Sequence, residues 1–214
     1  MLRKSLFESC TRAWSSFILS PFSTTTAILV VVSAAVMISP TLAAAVSSPT
    51  PPCCAVAYWS LDDNLKDTSG NGNDGMAKGD AHFVSGYEGN ALSLDGNGDY
   101  AIVKDSSTLR LAGAFTLAAW VKLDTLTPEG HHLRILEKGT SPGEKYWMFY
   151  VKSSKKIGFG FINSEKDVQV LTQKTNWQSG RWYHVVATYD PAVTSNNMKI
   201  YVDGVLDNMA TKTG

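Results

Sequence analysis

The stretch DDNLKDTSGNGNDG, residues 62 to 75, crowds Asp62, Asp63, Asp67, Asn71, Asn73 and Asp74 into one glycine-bearing loop. Calcium takes about six to eight oxygen ligands from carboxylates, side-chain amides and backbone carbonyls, so a structural calcium ion held by Asp62, Asp67 and Asn71 is one reading of this segment. The loop is no EF-hand, because the glutamate expected after the glycine is missing and no helical pattern flanks it. The other reading is a pair of turns, Asn71-Gly72 and Asp74-Gly75, whose side chains cap their own backbone. On the residues alone both stand.

Elsewhere the chemistry-bearing residues lack partners. His184 lies in RWYHVVATYD, residues 181 to 190, which holds no carboxylate pair and no neighbouring nucleophile. Extended, that segment puts Tyr183, Val185 and Ala187 on one face and His184, Val186 and Thr188 on the other, so it reads as a strand whose aromatics fill a core. His131 and His132 are adjacent and would point apart on an extended chain, which suits no metal site. Glycoside hydrolysis needs two carboxylates about 5 to 9.5 Å apart. Glu165 and Asp167 are two apart, but Lys166 between them and the polar start read as a solvated turn, and an E-x-D-x-x-E arrangement is absent. The chain therefore reads as a binding protein, not an enzyme. The alternative is a non-catalytic fragment of a secreted glycan-active hydrolase.

The elements that must position these residues are strands. AVAYWSL, ALSLDG, DYAIV, FTLAAWVKL, LRILEK, YWMFYVK, IGFGFI, VQVLTQ, WYHVVATY and MKIYVDG are short, rich in Val, Ile, Tyr, Phe and Trp, and often alternate in polarity. Tight-turn pairs separate several of them, Asn97-Gly98 and Asp203-Gly204 among them. No long amphipathic helical pattern follows residue 55. Many short strands with turn signals between them predict an all-β fold, an antiparallel two-sheet jelly-roll sandwich. In FTLAAWVKL, alternation sets Phe115, Leu117 and Ala119 against Thr116, Ala118 and Trp120.

Of 214 residues 44% are hydrophobic and 18% charged, with 19 basic and 19 acidic side chains, enough for one well-filled core and no field that draws nucleic acid. The N-terminus differs. Arg3, Lys4 and Arg12 precede the apolar stretch AILVVVSAAVMISPTLAAAV, residues 27 to 46, with Pro40 just before Ala43, Ala44 and Ala45. That order predicts a signal peptide over residues 1–45, cleaved after Ala45, and the rival reading is a membrane anchor. Either exports the remainder, to a secreted or cell-surface location. Residues 46–54 form a Pro/Ser-rich linker ending in Cys53 and Cys54, whose pairing stays open, and Cys10 lies in the leader. Residues 55–214 are the folded domain.

The motifs YWSLDDNLKDTSGNGNDG, GNALSLDGNGDYAIV, FTLAAWVKL, WQSGRWYHVVATYD and KIYVDGVL resemble, in order and spacing, the laminin G-like domains of the concanavalin A-like lectin/glucanase superfamily, in its pentraxin-like branch. The resemblance covers residues 56 to 210. It implies a jelly roll that binds carbohydrate, protein or lipid partners outside the cell, with a calcium ion near the residue 62 to 75 loop. Family members usually continue past the YVDG hairpin, so the chain is expected to be incomplete at its C-terminus, with Val202, Val205 and Leu206 exposed.

Overall fold

The computed structural model describes residues 28–31, 55–110, 113–124, 133–139, 146–162 and 168–213. Cys10, the expected cleavage site at Ala43 to Ala45, the linker with Cys53 and Cys54, His131, His132, Glu165 and Asp167 lie outside the described residues. Among the described residues, no helix is long and apolar enough to cross a membrane.

The strands run in the order β1 (Ile28–Val31), β2 (Gly75–Lys78), β3 (His82–Ser85), β4 (Asn90–Leu94), β5 (Tyr100–Val103), β6 (Phe115–Leu123), β7 (Leu133–Lys138), β8 (Tyr146–Lys152), β9 (Lys156–Ile162), β10 (Val168–Leu171), β11 (Trp182–Tyr189), β12 (Met198–Val202) and β13 (Val205–Ala210). A short 3-10 turn at Ser107–Leu109 is the sole helical element among the described residues. FTLAAWVKL, LRILEK, YWMFYVK and WYHVVATY are strands end to end, as their β-branched and aromatic content predicts.

Seven strands form one sheet in the order β13-β12-β11-β6-β1-β4-β3, four form a second in the order β10-β9-β8-β7, and β2 pairs with β5 in a ribbon. The pairings are antiparallel. The two larger sheets share one core: Val121, Val185 and Ile200 of the first meet Ile135, Phe149 and Phe159 of the second in a single cluster, all fully buried. The edge of the Phe115 ring meets Phe159 at 5.7 Å and 86°, and burying such side chains stabilises the fold by about 1.5–3 kcal/mol each. This is the all-β sandwich that the strand pattern predicts.

The alternation along β6 and β11 holds. Phe115, Leu117, Ala119, Val121 and Leu123 are buried, while Thr116, Ala118, Trp120 and Lys122 lie on the opposite face of the sheet. Tyr183, Val185 and Ala187 face the core. Trp182 does not join them. It shares the outer face with His184, which corrects the expectation that all the aromatics of this strand fill the core.

The first expected strand, AVAYWSL, is in no ladder. Its backbone groups are taken by the loop that follows: Thr68 N–H donates to the Tyr58 carbonyl at 2.8 Å, and Asp67 accepts the Tyr58 N–H at 3.0 Å. Leu61 adopts a φ of 61°, a left-handed conformation that breaks extension. Val205 and Leu206 are 69% and 43% exposed, but Val202 is buried at 8%. Asp203 and Gly204 both have positive φ, 50° and 79°, the geometry of the tight turn their sequence calls for.

Candidate functional site

In the 62 to 75 loop, Asp67 organises the backbone. Its Oδ1 accepts N–H groups from Tyr58 and Ser69, and its Oδ2 accepts the N–H of Asn73 at 2.9 Å. Partial burial alone would raise its pKa, but the Ser69 side-chain hydroxyl and these backbone N–H groups, bonded to the charged form, together hold it below the usual carboxylate value. Asn71 donates from Nδ2 to the carbonyls of Ala55 and Val56, and Asp62 accepts the Asn90 N–H at 3.2 Å. Asp62, Asp67 and Asn71 thus each brace a different backbone segment. Asn73, 3% exposed, ties the loop to the 3-10 turn: its Nδ2 donates to the Val56 carbonyl, its Oδ1 accepts the Ser106 hydroxyl at 2.7 Å, and its carbonyl accepts the Trp59 indole N–H.

Three other carboxylates converge. One oxygen each from Asp80, Asp95 and Asp99 lies within 4.8 Å of the others. Asp99 is buried, and its two oxygens accept the N–H groups of Asp80 at 2.8 Å and Asp95 at 3.1 Å. Gly79 makes room for this. With φ +75°, it would place a Cβ 2.2 Å from Asp99 Oδ1, so only glycine fits. An oxygen-only set of three carboxylates has the donor chemistry of a hard divalent cation. Sequence reasoning missed the trio because Asp80 and Asp99 are brought together only by the pairing of β2 with β5.

The second feature is the outer face of the seven-stranded sheet. Register sets Trp182 opposite Lys122 and His184 opposite Trp120. Lys122 Nζ lies 5.4 Å from the centroid of the Trp182 ring, and the Trp120 and His184 rings are 5.1 Å apart. Trp120, Trp182 and Val84 pack on Ala91. A tight β3–β4 loop, closed by the Gly86 N–H to Gly89 carbonyl bond at 2.9 Å, carries Tyr87 back over this face. There the Tyr87 ring stacks on Trp120 at 3.7 Å and 12°, with 54% of Tyr87 still exposed.

His184 is held by its backbone, not by its ring. Its N–H donates to Asp203 Oδ1 at 3.0 Å, its carbonyl accepts the Asp203 N–H at 2.8 Å, and Asp203 Oδ2 pairs with Arg181 at 3.2 Å. The ring Nε2 is buried and has no hydrogen-bond partner among the described residues. Burial lowers the pKa of the ring, and the Asp203 charge opposes that shift. The outcome is an aromatic ridge of Tyr87, Trp120 and Trp182 with an ammonium beside it, while the unpartnered ring nitrogen of His184 stays buried. Flat aromatic faces with a few polar groups suit a ligand that is apolar on one side and hydroxylated at its rim.

A family model described as the concanavalin A-like lectin/glucanases superfamily matches residues 95–214, which is more than half of the chain. No curated protein and no solved structure matches it.

Proposed function

Because the chain belongs to the concanavalin A-like lectin/glucanase superfamily, as a laminin G-like domain, we propose that it is a secreted or cell-surface recognition module that binds a carbohydrate on the outer face of its seven-stranded sheet. The observation that carries this reading is the Tyr87, Trp120 and Trp182 ridge. A pyranose ring offers a patch of C–H bonds to an aromatic face while its hydroxyls point sideways, where the Lys122 ammonium can meet them. Tyrosine and tryptophan give large contact area at low entropic cost, which is why they dominate binding hot spots.

Binding without catalysis is part of the proposal. The outward residues of β6 and β11 are Thr116, Ala118, Trp120, Lys122, Trp182, His184, Val186 and Thr188, and a glycosidase would need two carboxylates over such a face. A structural cation is a second part. The Asp80, Asp95 and Asp99 oxygens fit calcium by donor type, and an ion there would tie the β2–β3 turn to the β4–β5 turn.

The test is binding of the full chain to a panel of immobilised neutral and acidic oligosaccharides, with Trp182→Ala as the control. The expected result is saturable binding that weakens about tenfold in the variant while its melting temperature stays within a few degrees. Binding that Trp182→Ala leaves intact, or none across the panel, would refute it.

A further inference from the structure

In the seven-stranded sheet, β4 and β6 do not pair with each other. Each bonds to β1, so Ile28–Val31 bridges the sheet's two halves. Ile28 lies opposite Leu94 on one side and Leu123 on the other, and Val30 lies opposite Leu92 and Val121. Those four neighbours are core residues, 0 to 4% exposed. Leu29 shares its row with Ser93 and Lys122.

Without β1, the sheet becomes a four-stranded half, β13-β12-β11-β6, and a pair, β4-β3, with two unpaired edges facing each other. Strands are spaced about 4.8 Å apart, so that opening admits one extended strand. Unpaired edges and uncovered core make an empty opening costly. Its occupant has the sequence ILVV, whose β-branched and apolar residues suit a strand. The same residues lie in the segment 27 to 46 expected to lead export. A leader cleaved after Ala45 and a strand at 28–31 exclude each other in one folded molecule.

We propose that the opening between β4 and β6 is an exchangeable donor-strand site whose occupant is residues 28–31 of this chain, and that the same segment binds it in trans once the connection is cut. The connection, residues 32 to 54, can span at most roughly 75 Å, which is ample reach for insertion in cis across a domain of this size. Recognition is by strand addition, in which ladder hydrogen bonds on both sides supply the affinity.

The test uses the full chain. With Cys10, Cys53 and Cys54 changed to serine, Leu29→Cys and Lys122→Cys stand directly opposite, at the Cβ separation of about 4.5–5.5 Å that permits a disulfide after small adjustment. Oxidation is expected to give an intrachain bond in most molecules. A bond only between two copies, or none, overturns the assignment. In a second arm the full chain is cut at a protease site placed in residues 46–54 and offered a fluorescent peptide of residues 24 to 35. Replacement of the cut fragment by this peptide, but not by its Val30→Pro form, is expected, because proline cannot donate to the ladder. Uptake of neither peptide, or equal uptake of both, overturns the proposal.

Discussion

Tyr87 lies flat on Trp120, ring centroids 3.7 Å apart and planes 12° from parallel. The two come from a hairpin loop and from the middle of a nine-residue strand, and their stack makes the outer surface of the ridge a tyrosine with a tryptophan beneath it. Tyr87→Ala therefore uncovers Trp120 and does not remove the platform. Its expected effect is a red shift of tryptophan emission with a loss of oligosaccharide affinity of only a few fold, less than for Trp182→Ala. An unchanged emission spectrum would show that the stack does not persist in solution.

His184 titrates against folding. Its pKa is lowered by burial in the folded state, so between that lowered value and the ordinary value of about 6.5 the unfolded chain holds a proton that the folded chain does not. Stability is then fully present above about pH 6.5 and falls as the pH drops below it. Denaturant melts at pH 7.5 and 5.5 should show this loss, and His184→Gln should flatten it. Identical slopes in wild type and variant would remove His184 as the cause.

Asp67 takes three backbone N–H groups, so Asp67→Ala leaves three donors with water as their only new partner. The expected destabilisation is about 2 kcal/mol, a fall in melting temperature of roughly 4–8 °C for a domain of this size. Because its folded pKa is depressed, its contribution is present above the ordinary carboxylate value and lost as the pH falls through the lower folded value. A melt within a degree of wild type would show that the loop does not depend on this carboxylate.

Calcium at Asp80, Asp95 and Asp99 would raise the melting temperature by preferential binding to the folded chain. Asp95→Asn, which keeps an oxygen to accept the Asn97 N–H, should abolish the rise without lowering the melt in chelator. The same calcium response in Asp95→Asn would move the ion elsewhere. Loss of the response in Asp67→Asn instead would restore the 62 to 75 loop as its site.

Strands with a strong internal pattern were legible one at a time. FTLAAWVKL announces both its ends and its faces, and so places Trp120 on the side away from the core. The Asp203-Gly204 turn was legible because two consecutive positive φ angles need such residues. Neighbourhood was not legible. Trp120 meets His184 through the β6–β11 register, Tyr87 reaches Trp120 from another hairpin, and Asp80 meets Asp99 across nineteen positions of sequence. AVAYWSL misled for a related reason. Its composition suits a strand, but the Asp67 carboxylate and the Thr68 N–H take the two backbone groups of Tyr58, and these loop bonds prevail over a ladder. The apolar run at 28–31 carries no local sign separating a leader from an inserted strand, since both need the same side chains.

The most direct measurement is the indole N–H spectrum of the 15N-labelled full chain during titration with an oligosaccharide that binds it. Trp120 and Trp182 lie on the ridge, while Trp59, Trp147 and Trp177 are core residues, 4 to 6% exposed. The account expects the Trp120 and Trp182 signals to shift saturably with a common dissociation constant while the three core signals stay in place. Saturable binding that moves neither ridge indole would contradict it.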